Sequence, residues 1–157
     1  MTDTLKSTYE QCSHLSAPNL DFISNKRLKE IIARDLNELG SAAIGEHEKT
    51  VTILCGAIFE AVLHGFLDAQ QSYIKARRGS FTLSSEPGLK KYLKVFNRWF
   101  LDDLPNARIP DFVVGYRNLV HIDCELDLPI DICTRGSREM LVALDNILGA
   151  LSKFVIP

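Results

Sequence analysis

This chain is short of the features that usually announce chemistry. It has no glycine-rich phosphate loop, no pair of carboxylates at metal-binding spacing and no nucleophilic serine or cysteine motif. The usual sequence marks of P-loop, metal-dependent and triad enzymes are therefore missing, and no metal or cofactor is expected. The four cysteines, Cys12, Cys55, Cys124 and Cys133, lie far apart with no short paired spacing. They read as reduced thiols of a cytoplasmic protein rather than a disulfide framework or a zinc site. Charge of one sign is lacking too: 18 Lys and Arg against 20 Asp and Glu give a formal net charge of -2. The chain as a whole does not advertise nucleic-acid binding, although a local basic patch could still do that work. Met1 to Glu10 is polar with no apolar centre, so no signal peptide is expected. The longest apolar run, Val51 to Phe66, is interrupted by Glu60 and His64, and no membrane association is expected. No alternating strand pattern extends beyond a few residues, and there is no internal repeat.

What is present is helical periodicity. The 157 residues suffice for one domain with a real core, and 46% hydrophobic with 24% charged residues is ordinary for a globular protein. Residues 1–20, rich in Ser and Thr and ending at Pro18-Asn19, are expected to form a loosely ordered arm, with residues 21–157 a single helical domain. A first helix is expected over Ser24 to Leu39, with Leu28, Ile31, Ile32, Leu36 and Leu39 as its apolar stripe. A second should run from Ser41 or Glu46 to Arg78, acidic at its start and basic at its end as the helix dipole favours. It would be about 48 Å long, so its last turns should project or kink.

After a polar loop over 79–86, a third helix reaches Leu101, with Leu89, Tyr92, Leu93, Phe96, Trp99 and Phe100 inward. Lys90, Lys91, Lys94 and Arg98 fall on its other side and form a candidate RNA-contact stripe, or simply a solvated face. A short fourth helix starts at Pro110 or Asp111, residues 126–134 read as a loop, and a last helix covers Ser137 to Phe154. The sum is an all-α, up-and-down bundle of four to five helices.

The chemistry-bearing residues crowd into Tyr116-Arg117-Asn118-Leu119-Val120-His121-Ile122-Asp123. On a helix, Arg117 and His121 are four residues apart and share a face. Arginine offers a rigid fork of donors for carboxylate or phosphate, and histidine gives or takes a proton near neutral pH. Together they suit phosphodiester cleavage, with the imidazole handling a proton and the guanidinium steadying phosphoryl charge. The structural reading gives Arg117 a different partner. Glu60 lies in the most apolar part of the second helix, where an unpaired carboxylate would be costly, so an ion pair of Glu60 with Arg117 accounts for both residues. His64, four residues after Glu60, either joins this cluster as a second imidazole or is solvated or backbone-bonded.

Tyr-Arg-Asn-Leu-Val-His late in an all-helical chain resembles the signature of the HEPN superfamily (higher eukaryotes and prokaryotes nucleotide-binding). The earlier Ile53-Leu54-Cys55-Gly56-Ala57-Ile58-Phe59-Glu60-Ala61-Val62-Leu63 is similar to the helix of small residue, apolar residue and Glu that precedes it in that family. The resemblance covers roughly residues 45–154. It implies a dimerising helical bundle, and in many members a metal-independent endoribonuclease of toxin–antitoxin, phage-defence or RNA-processing systems. By the same resemblance Arg117, Asn118 and His121 would be the catalytic residues, and the partners a second copy, RNA, or an antitoxin or other protein. The nuclease motif usually places four to six residues between Arg and His, and this chain has three. The expectation is therefore a HEPN-like, RNA-associated or dimeric interaction module in a bacterial defence or toxin-type setting. The alternative is an active endoribonuclease using Arg117 and His121.

Overall fold

A computed structural model describes residues 4–78, 88–118 and 131–155. The chain is an all-α helical bundle, with no strand among the described residues. Four longer helices carry it: α3 (Lys26–Ile44), α4 (Glu48–Ala69), α6 (Leu89–Trp99) and α8 (Asp131–Leu151). Four shorter ones complete the described set: α1 (Leu5–Gln11), α2 (Ser13–Ser16), α5 (Gln71–Arg78) and α7 (Phe112–Arg117). A 3-10 turn covers Pro105–Ala107.

Helix α4 is the hub, packing against α3, α6, α7 and α8. Its sequence explains this. Val51, Cys55, Ile58, Phe59, Val62, Leu63, Phe66 and Leu67 are fully buried, and they occupy more than one face of the helix. At 22 residues α4 is long and apolar enough, by length and composition, to cross a bilayer, and 61% of its most apolar stretch is buried inside the fold. Phe66 sits among Phe22, Phe96, Phe100 and Phe154, with centroids 4.9–6.2 Å away and rings edge-on, the arrangement aromatic quadrupoles favour. Asn25 caps α3 by accepting from the Leu28 amide at 3.0 Å. The three residues between α3 and α4 force the two helices to run antiparallel.

Three expectations change. The second helix does not run unbroken to Arg78: it is interrupted at Gln70, and α5 continues from Gln71. The interruption accompanies burial of Ile74 and a hydrogen bond from the Tyr73 hydroxyl to Asp103 at 2.9 Å. The last helix starts at Asp131, so residues 131–134, expected as loop, are helical.

The N-terminal segment is also more ordered than a loose arm. Leu5, Cys12 and Leu15 are buried in the core. Two distant carboxylates hold the segment's helix starts. Glu46 accepts from the Leu5 and Lys6 amides at 3.0 and 3.1 Å, and Asp145 accepts from the His14 and Leu15 amides at 2.7 and 3.1 Å. Each satisfies amides that a helix N-terminus leaves open and places negative charge where the helix dipole favours it. Thr4 and Ser7 add a reciprocal capping box. The expected loop over 79–86 lies outside the described residues.

Candidate functional site

Of the candidate residues, Glu60, His64 and Arg117 come together where α3, α4, α6 and α7 meet. Gly56 makes this possible. A Cβ at residue 56 would stand 2.8 Å from the Cβ and Cγ of Arg117 and 2.9 Å from its Cα. Only glycine lets α7 approach α4 this closely. One helical turn further along α4, Glu60 receives the guanidinium. Arg117 donates from Nε at 3.1 Å and reaches with Nη2 to 3.0 Å, both on Glu60 Oε2. The structure thus brings together the two residues that sequence reasoning paired, from positions 57 apart. The side chains remain 37% (Arg117) and 26% (Glu60) exposed. The pair lies at a surface groove rather than in the dry core, which lowers its desolvation cost.

That groove has a volume of about 460 Å³ and is walled by Leu28, Ile31 and Asp35 of α3, Ile53, Ala57 and Ala61 of α4, and Tyr92 of α6. His64 lies in it one turn beyond Glu60. Its Nδ1 is 3.0 Å from the Tyr92 hydroxyl, and the rings meet edge-on at 5.5 Å. His64 is half-buried, and a tyrosine that the sequence assigned to the core holds its Nδ1 side. Burial raises the Tyr92 pKa, and the Glu60 charge adds to the effect, so the phenol stays protonated. Asp35, on the facing wall, is gripped by its neighbour Arg34 at 2.6 and 2.8 Å.

Asn118 is the C-cap of α7, and its backbone N–H donates to the Gly115 and Tyr116 carbonyls. His121 lies outside the described residues, as does Cys124. The Arg117–His121 face therefore has only its first member in the described structure. On α6, Lys90, Lys94 and Arg98 are exposed along one row and Lys91 is half-buried. At four-residue spacing the row is about 12 Å long. Arg98 lies over the Trp99 ring at 5.4 Å. Arg77 stacks on Tyr73 at 4.4 Å and leans toward Asp103 at 3.8 Å. Among the described residues no group of three or more His, Cys, Asp or Glu side chains gathers as a metal site would require.

Sequence reasoning missed three contributors to the groove: Gly56, Tyr92 and Asp35. Gly56 left a trace, as the small residue one turn before a lone acid in an apolar helix. The other two depend on which helices meet and left none.

Chemically, the groove holds a carboxylate–guanidinium pair beside an imidazole–phenol pair over an apolar floor. Such a surface can receive a polar group of a ligand. Its one guanidinium is already engaged by a carboxylate, so it is not preset to stabilise phosphoryl charge. A scan against family models finds no match for this chain. Searches of curated proteins and of solved structures likewise return none.

Proposed function

We propose that this chain is a HEPN-like helical domain that works by association. In this reading it is an RNA-associated, dimeric interaction module of a cytoplasmic bacterial defence or toxin-type system, and it does not cut RNA. The observation that carries the reading is the commitment of Arg117 to Glu60, fixed from below by Gly56. A catalytic arginine must meet the phosphoryl oxygens, and this one would first have to leave a carboxylate 3.0 Å away. The three-residue spacing between Arg117 and His121 points the same way. RNA would lie along the exposed Lys90, Lys94 and Arg98 row, which follows a phosphate backbone by charge without reading sequence.

The ribonuclease alternative keeps one specific support. The Glu60–Arg117 pair is partly exposed on an open groove with His64 at hand, so a substrate could in principle reach it.

The test is binding of a fluorescent single-stranded RNA, followed by anisotropy over a range of salt. Wild type should bind with a salt-dependent affinity, and Lys90→Glu combined with Lys94→Glu should abolish most of it. Equal binding by the double variant would remove the α6 row from the proposal. Absence of binding by wild type would remove RNA altogether.

A further inference from the structure

A second groove shares no residue with the one at Arg117. It has a volume of about 790 Å³ and runs between α1, the segment from Arg108 to Phe112 and the middle of α8, within the roughly 300–1,000 Å³ of pockets that take ligands. Its rim is cationic in a chain whose net charge is -2. Arg108 approaches from the segment before α7, and Arg135 and Arg138 from α8, with Glu139 as the only acid lining the groove among the described residues. Arg108 is exposed and has no ion-pair partner among the described residues. Arg135 holds Glu139 at 2.7 Å yet remains 80% exposed.

The floor is apolar. Val142 stands 46% exposed on a helix whose Leu141, Leu144, Ile147 and Leu148 are buried, and the half-buried Phe112 lines the same groove, its ring tilted on Tyr116 at 5.3 Å. Isolated exposed apolar residues are ordinary, but one set in a groove and ringed by arginines has a binding surface's anatomy.

We infer that this groove is a docking site for an acidic, amphipathic segment of a partner protein. Apolar side chains of the segment would cover Val142 and Phe112, and its carboxylates would meet the planar fork of Arg108, in the positive field that Arg135 and Arg138 add to the rim. The charge is complementary, and the apolar floor is what separates this occupant from a nucleic acid. A phosphate backbone would use the rim and leave Val142 uncovered. The inference does not rest on the function proposed for the Arg117 groove, and a Glu60→Gln variant should bind the segment as wild type does.

The experiment is selection of a random-peptide library on the full-length chain, followed by anisotropy with an enriched peptide. Arg108→Glu and Val142→Asp, both at exposed positions, serve as variants, and circular dichroism verifies their fold. Enriched peptides should carry Asp or Glu next to Leu, Ile or Phe, and each variant should weaken binding by about tenfold or more. The inference is overturned by any of three results. One is no enrichment, or enrichment without acidic residues. Another is an affinity that neither variant changes. The third is displacement of the peptide by a single-stranded RNA oligonucleotide, which would give the groove to nucleic acid.

Discussion

Two glycine-to-alanine substitutions with the same chemistry should move stability in opposite directions. Gly115, on α7, has nothing within 4 Å of an added Cβ. There alanine gains only helix propensity and a smaller unfolded-state entropy, about 0.5–1 kcal/mol of stabilisation. At Gly56 the same propensity gain is opposed by contacts at 2.8 and 2.9 Å, one of them to the Arg117 Cα, a backbone atom that cannot swing aside. Forcing a methyl into such a place costs about 1–3 kcal/mol. Pushing α7 outward also loosens the ion pair, which at its partial exposure contributes at most about 1 kcal/mol. The balance is a net loss of about 1–2 kcal/mol. For a chain of this size that is a Tm lowered by about 2–8 °C, against a rise of about 1–4 °C for Gly115→Ala. Thermal and urea denaturation followed by circular dichroism read both. If Gly56→Ala were as stable as wild type, the close approach of α7 to α4 and the placement of Arg117 built on it would be refuted.

Three further outcomes follow from the same contacts. In a double-mutant cycle of Glu60→Gln and Arg117→Ala, urea denaturation should give a coupling of about 0.5–1 kcal/mol, and zero coupling would mean that the pair contributes nothing in solution. The Glu46 carboxyl is held below its ordinary value of 4.5, first by the Lys6 amide and, against the effect of desolvation, also by the Leu5 amide. A depressed folded pKa contributes stability that is present above 4.5 and lost as pH falls through the folded value. The Leu5 and Lys6 amide resonances should therefore shift toward undocked positions at acid pH. In Glu46→Gln they should already be shifted at neutral pH, and amides unmoved by acid would contradict the link. Burial, helped by the Asp145 charge, raises the Cys12 thiol from 9.0 to about 11, and burial pushes Cys55 higher still. Alkylation of Cys12 by iodoacetamide at mildly basic pH should run about 100-fold slower than that of a free thiol, as peptide mapping would read. Rapid labelling would mean that α1 and α2 leave the core readily.

The sequence made the bundle legible wherever a stripe of one helix was long enough to speak for itself. Leu141, Leu144, Ile147, Leu148 and Leu151 follow the helical period and are all buried in α8, and the run from Val51 to Phe66 marks α4 as the covered helix. Where tertiary partners decide, local pattern failed. The first twenty residues look loose because the groups that dock them, Glu46 and Asp145, lie 41 and 131 positions away from the amides they hold. The break at Gln70 has no proline or glycine to mark it, and Tyr73 finds its partner Asp103 30 positions on. At the candidate site, the Glu60–Arg117 pair was legible because a lone acid in an apolar helix demands a cation. Tyr92 was not, because a tyrosine on an apolar stripe satisfies the core equally well, and only the placement of α6 against α4 turns its hydroxyl toward His64.

The most direct test of the proposed mode of action is to incubate a mixed pool of structured RNAs, in EDTA, with wild type, Arg117→Ala and His121→Ala. If Arg117 serves the fold and the domain acts by association, the RNA remains intact with wild type, and Arg117→Ala changes stability while leaving no cleavage to lose. RNA cut by wild type in EDTA and spared by both variants would contradict this, placing Arg117 and His121 in a metal-independent ribonuclease centre.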